Sequence, residues 1–245
     1  MDPAVGLSFQ NHLNKLGVIE KKKLQHIVEK YLGDLYLIIN KKDLAKKYYE
    51  NAISLKANYL DALDSMGWFN YFYLESPDFE KMEYFFRKMI EVDPFDYRGF
   101  HGLGYALYIQ AIKESDHQNR KGLIGEAADT SYEASMLQTY RINIVIDFGE
   151  ISRSVYPSYS INCHEFCLDI LNDPVLCQIK ANQENYGYEL LTSQGTLIVQ
   201  GENQWRTLTN YQLALDYLAL HRQGIKPKEN KEKHDNLLKK TQEKA

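Results

Sequence analysis

Small residues that recur at a near-constant interval constrain this chain more than any other feature. Leu32-Gly33 is followed 34 residues later by Met66-Gly67, and after a further 37 by Leu103-Gly104. Each glycine lies inside a helical pattern. Leu24, Ile27, Val28, Tyr31, Leu32 and Leu35 make an apolar stripe, as do Leu60, Leu63 and Met66, and again Phe100, Leu103 and Leu107. A glycine within a helix costs about 1 kcal/mol relative to alanine. Three at equivalent places therefore need a compensating gain, and the close approach of a second helix supplies one. Ala45, Tyr49 and Ala52 are spaced to form the facing side of that second helix. The sparse turn formers, 14 Gly and 6 Pro in 245 residues, argue against an all-β chain.

A repeat of this length, with Leu-Gly, Tyr, Ala and an aromatic at set offsets, resembles the tetratricopeptide repeat. The resemblance covers about the first two-thirds of the chain. It implies an all-α superhelical solenoid of antiparallel helix pairs, and a job holding another polypeptide. The expected division is an N-terminal helical extension over 1–25, repeats over 26–176, a divergent cap over 177–225 and a charged tail over 226–245. The repeats divide as 26–59, 60–96, 97–140 and a degenerate 141–176.

Within these, Asp43 is placed to cap the helix that runs to about Leu55, and Ser76-Pro77-Asp78 to cap the helix carrying Phe79 to Ile90. The 37-residue interval is explained by a turn lengthened by three. Residues 114–125 are polar and rich in turn formers, so they are expected as an inserted loop ahead of Ala128 and Tyr132. Beyond Gln178, Tyr188 to Thr192 and Thr196 to Val199 flank Gln194-Gly195 and fit a small β-hairpin, with helix as the alternative. Thr209 to Arg222 reads as a helix with Tyr211, Leu215 and Leu218 on its apolar side, stopped by Gly224 and Pro227. The tail, with seven lysines, is expected to be exposed and partly frayed.

In proteins of this family the first helices of successive units line a concave face that receives a peptide. The resemblance places Lys30, Asp34 and Leu37 on that face in the first unit, Asp61, Asp64, Trp68 and Tyr71 in the second, and Arg98, His101, Tyr105 and Tyr108 in the third. Aromatics ringed by charge suit an anchor site; filling of the space between neighbouring units is the plainer alternative. Some family members clamp a C-terminal carboxylate here. Lys30 and Arg98 match that clamp, whereas Asp34, Ser65 and Gly102 depart from it, and an Asp would repel the ligand. Asp61 and Asp64 point instead to a partner with basic character.

The other signals are negative. Cys163, His164, Cys167 and Cys177 lack the paired spacing of a zinc site and read as packing residues, so no metal and no cofactor are expected. There is no Gly-x-Ser-x-Gly, phosphate loop or dinucleotide fingerprint, so no catalytic residues are assigned. A net charge of −4 gives no general attraction to nucleic acid, and no apolar run is long enough to span a membrane. Met1-Asp2-Pro3-Ala4 carries no signal-peptide character, which favours a cytoplasmic setting. The expected function is a non-catalytic adaptor that binds a peptide segment of another protein. The alternatives are a self-associating subunit of a larger assembly and, lower, an enzyme using the divergent region from Gln178 to Gly224.

Overall fold

The computed structural model describes residues 18–138, 141–173, 188–192, 195–199 and 201–242. Its helices are α1 (Val18–Ile38), α2 (Lys42–Leu55), α3 (Leu60–Phe72), α4 (Phe79–Val92), α5 (Tyr97–Lys113), α6 (His117–Leu137), α7 (Ile142–Ser152), α8 (Pro157–Asn172), α9 (Gly201–Arg222) and α10 (Pro227–Gln242). Two short strands, β1 (Tyr188–Thr192) and β2 (Gly195–Val199), pair antiparallel with Leu190 opposite Leu197. The hairpin alternative for this stretch is therefore the one adopted. Of the expected extension over 1–25, residues 18–25 belong to α1 and the rest lies outside the described residues. The chain forms two compact units, one ending at Gln110 and one beginning at Ala111.

In the N-terminal unit, α1 pairs with α2 and α3 with α4. The glycines account for how closely they pair. A Cβ on Gly33 would stand 2.5 Å from the Tyr49 ring, and one on Gly67 would stand 2.6 Å from the Phe86 ring. Tyr49 is flanked by Ala45 and Ala52, and Phe86 by Met82 and Met89, all buried. Tyr49 follows its glycine by 16 residues and Phe86 by 19, so the second pair carries its three extra residues between the helices. Asp78 caps α4 by accepting from the Lys81 amide at 3.0 Å. On α5, Gly102 is the glycine that meets Phe86, with its virtual Cβ 2.3 Å away; Gly104 is buried two residues on.

Asp43 does not cap α2. The helix starts at Lys42 after an uncapped Lys41, and Asp43 falls in the first turn, where a carboxylate meets the positive end of the helix dipole. Asn40 makes the turn at φ 56, a left-handed conformation that asparagine tolerates.

In the C-terminal unit, α7 packs with α6 and α8, α8 with α9, and α9 with α10. Ile142, Ile144, Val145, Ile146, Phe148 and Ile151 are all buried, which makes α7 the unit's apolar centre. Trp205 and Leu208 of α9 close over Ile142, Val145, Ile146, Cys167, Ile170 and Leu171.

Three expectations fail here. Residues 117–125 are not a loop, because α6 begins at His117, capped by Asp116 through the Asn119 amide at 2.8 Å. Turn formers hid this helix: Gly122 and Gly125 have nothing near them, and burial starts only at Ala127. The tail is not frayed either. Residues Pro227–Gln242 form α10, with Asn230 and His234 buried and Leu237 packed on Ile161, Leu213, Tyr217 and Leu220. Two of those inward positions are polar, so no hydrophobic stripe showed. On α9 the buried side runs through Trp205, Leu208, Gln212, Leu213, Asp216, Tyr217 and Leu220, while Tyr211 stays exposed. Among the described residues, no helix is long and apolar enough to cross a membrane.

Candidate functional site

The candidate residues of the N-terminal unit fall on α1, α3 and α5. On α3, Asp61, Asp64 and Trp68 fall three and four residues apart, and on α5, Arg98, His101 and Tyr105 do the same. The two rows meet side by side. Arg98 Nη1 donates to Asp61 Oδ1 at 2.9 Å and lies 3.8 Å from Asp64 Oδ2, while its Nη2 reaches Asp96 Oδ2 at 2.6 Å. One turn further on, the Trp68 ring lies 5.8 Å from both His101 and Tyr105 and 5.2 Å from Phe86. Beyond these, the Tyr71 and Tyr105 hydroxyls stand 3.4 Å apart. On α1, Lys30 Nζ is 2.7 Å from Asp34 Oδ2, and Tyr49 donates to Asp34 Oδ1 at 2.9 Å.

Most of the candidates thus hold one another. Tyr71 is buried and fills the space between helix pairs rather than facing solvent, which is the plainer of the two sequence alternatives. Leu37 packs on the core around Tyr49, Met66 and Phe69. Trp68 is half-buried and Tyr108 partly buried on α5. Asp96, which the sequence pattern did not single out, is a main partner of Arg98.

The electrostatics follow from one guanidinium serving three carboxylates. Burial pushes the Asp64 carboxyl up to about 6, with Arg98 pulling against it and Asp96 adding to it. Asp96 is partly buried, which raises its carboxyl, yet the Arg98 hydrogen bonds outweigh this and hold it below the usual range. Asp64 Oδ1 has no hydrogen-bond partner.

No family model and no curated protein matches the sequence. Solved structures match it across most of its length. TTC0263, a thermophilic TPR protein of Thermus thermophilus, shares 13% identity over 89% of this chain and 98% of its own, with a TM-score of 0.52. YrrB, described as a TPR protein with an unusual peptide-binding site, shares 15% over 92% of this chain and 89% of its own, at 0.57. The MamA protein shares 14% over 91% and 92%, also at 0.57. The fold is the tetratricopeptide-repeat fold.

A tetratricopeptide-like pair also accounts for α7 and α8, where the sequence match is loosest. Ser160, His164 and Cys167 keep the spacing of Ala45, Tyr49 and Ala52, and all three are fully buried. A Cβ on Gly149 would stand 2.7 Å from the His164 ring. An imidazole thus replaces the aromatic of this repeat, and it needs a polar partner. His164 Nδ1 is 2.6 Å from Asp216 Oδ2 on α9, the geometry of a ring N–H donating to a carboxylate. Arg153 Nε donates to Asp216 Oδ1 at 2.6 Å. Ser160 Oγ is 2.6 Å from both Asp216 Oδ1 and the Gly149 carbonyl. Arg153 also bonds Gln212, whose Nε2 donates to Glu150 Oε2 at 3.1 Å. Burial, then Asp147, raises the Glu150 carboxyl.

Ser160, His164 and Asp216 share residue types with a hydrolytic triad but not its geometry. The hydroxyl addresses the carboxylate rather than the imidazole, and His164 Nε2 faces Gly149 with no hydrogen-bond partner. The cluster ties three helices together. Burial, then Asp216, pushes the Cys163 thiol up to about 12, so it stays protonated and unsuited to metal or nucleophilic chemistry near pH 7. Cys177 lies outside the described residues. No group of metal ligands forms among those described.

Proposed function

We propose that the protein is a non-catalytic adaptor whose N-terminal unit holds a peptide segment of another protein along α3 and α5. The observation that carries this reading is the row of Trp68, His101 and Tyr105, partly buried rings on neighbouring first helices, with the Arg98 carboxylate cluster at one end. Aromatic anchors with a charged rim are what a peptide groove requires. The peptide-binding site described for YrrB, a neighbour in fold, supports the same use of this architecture. Contacts within the cluster pre-order the rings, so the ordering cost on binding falls on the peptide. The segment is taken up from a protein partner; nucleic acid has no counterpart in the acidic surroundings of the site.

The test is selection of a random peptide library on the immobilised full chain, beside the Trp68→Ala, Tyr105→Ala double variant. Wild type should enrich a sequence family and the variant should not, with matching circular dichroism spectra. Equal enrichment by both proteins would remove α3 and α5 as the site.

A further inference from the structure

The charges on this face do not balance. Lys30 and Arg98 face four carboxylates, Asp34, Asp61, Asp64 and Asp96, which leaves two negative charges in excess. In two of the four pairings the carboxylate is the more exposed partner, whereas Asp64 (23%) and Asp96 (13%) are more covered than Arg98 (30%). In the Lys30–Asp34 pair the lysine is 18% exposed and the aspartate 32%; in Arg98–Asp61 the arginine is 30% exposed and the aspartate 44%. Asp64 takes the weakest share of Arg98, through Oδ2 at 3.8 Å, while its Oδ1 is buried without a hydrogen bond. Four residues along the same face stands Trp68, with the exposed Phe72 ring stacked 5.7 Å away. An indole next to underneutralised carboxylates is a receptor for a cation that also carries an alkyl stem.

Resting on the groove reading above, we infer that the peptide segment inserts a lysine or arginine here, its stem against Trp68 and its charge on Asp61 and Asp64. A free C-terminal carboxylate or an acidic residue is excluded from this position by the same charges. The guanidinium of Arg98 stays with Asp96 and Asp61 and fixes where those carboxylates point.

Peptides from the library selection decide it. A selected peptide should carry a Lys or Arg at one recurring position. Replacing that residue by norleucine, or using the Asp61→Asn, Asp64→Asn variant, should each weaken binding by about tenfold in fluorescence anisotropy. Added salt should weaken the wild-type complex and leave the norleucine complex nearly unchanged. Should the Asn variant fail to fold, the norleucine peptide carries the test alone. Binders that need Trp68 and Tyr105 yet lack a basic residue, or are indifferent to norleucine, overturn the cationic subsite and leave the groove standing. Absence of any binder, or binding indifferent to Trp68 and Tyr105, overturns both.

Discussion

Glycine has opposite consequences at different positions of this chain. Gly33 and Gly122 both lie inside helices, where alanine would gain about 1 kcal/mol of propensity. At Gly33 an added methyl meets the Tyr49 ring at 2.5 Å, and the overpacking cost of about 1–3 kcal/mol exceeds that gain. At Gly122 and Gly125 nothing stands within 4 Å. Gly33→Ala should therefore lower stability in urea unfolding, while Gly122→Ala and Gly125→Ala should raise it by about 0.5–1 kcal/mol each.

Asp64 has a pH signature of its own. Its carboxyl is raised from 3.8 to about 6, so the stability it contributes is full below 3.8 and lost as pH rises through about 6. Asp64→Asn should equal or exceed wild type at pH 7, and the difference between the two should shrink or reverse as pH falls from 6 to 4. Paired denaturation curves across that range would check this. The residue pattern put Asp64 and Arg98 on the same expected face; it could not show that Arg98 is already shared with Asp96.

At the scale of elements, the surprises cluster where polar residues point inward. α10 faces α9 through Asn230 and His234, the latter with Nδ1 2.8 Å from the Ala214 carbonyl. Each is satisfied by a partner outside its own helical stripe, so neither contributes to a hydrophobic pattern. Truncation after Gly224 should then act as the loss of a packed helix. The melting temperature should fall, and amide exchange in 230–240 of the intact chain should be slow. Fast exchange there would return the segment to the frayed tail that its lysines suggest. The three-residue lengthening between α3 and α4 was legible because spacing is a local property, whereas the hairpin of β1 and β2 was one of two readings the sequence left open.

At the scale of the whole molecule, each compact unit holds one tryptophan, Trp68 in the first and Trp205 in the second. Asp216 is fully buried and bonded to Arg153, Ser160 and His164. Removing it strands a partly buried guanidinium, at a cost of about 3–5 kcal/mol. Asp216→Ala should therefore shift the unfolding midpoint reported by Trp205 in a Trp68→Phe background far more than that reported by Trp68 in a Trp205→Phe background. Equal shifts would mean that the two units unfold as one.

The sequence alone determined an all-α chain of paired helices that approach closely where small residues recur. Those features arise from residues within one helical hairpin, so their spacing records the contact. Tertiary structure decided what lies on either side of that pattern: Arg98 bridging helices to Asp61, 37 residues earlier, and His164 standing in for an aromatic because Asp216, 52 residues on, receives its hydrogen bond. A buried polar group is tolerable only with its partner in place, and no spacing within a single helix announces a partner that far along the chain.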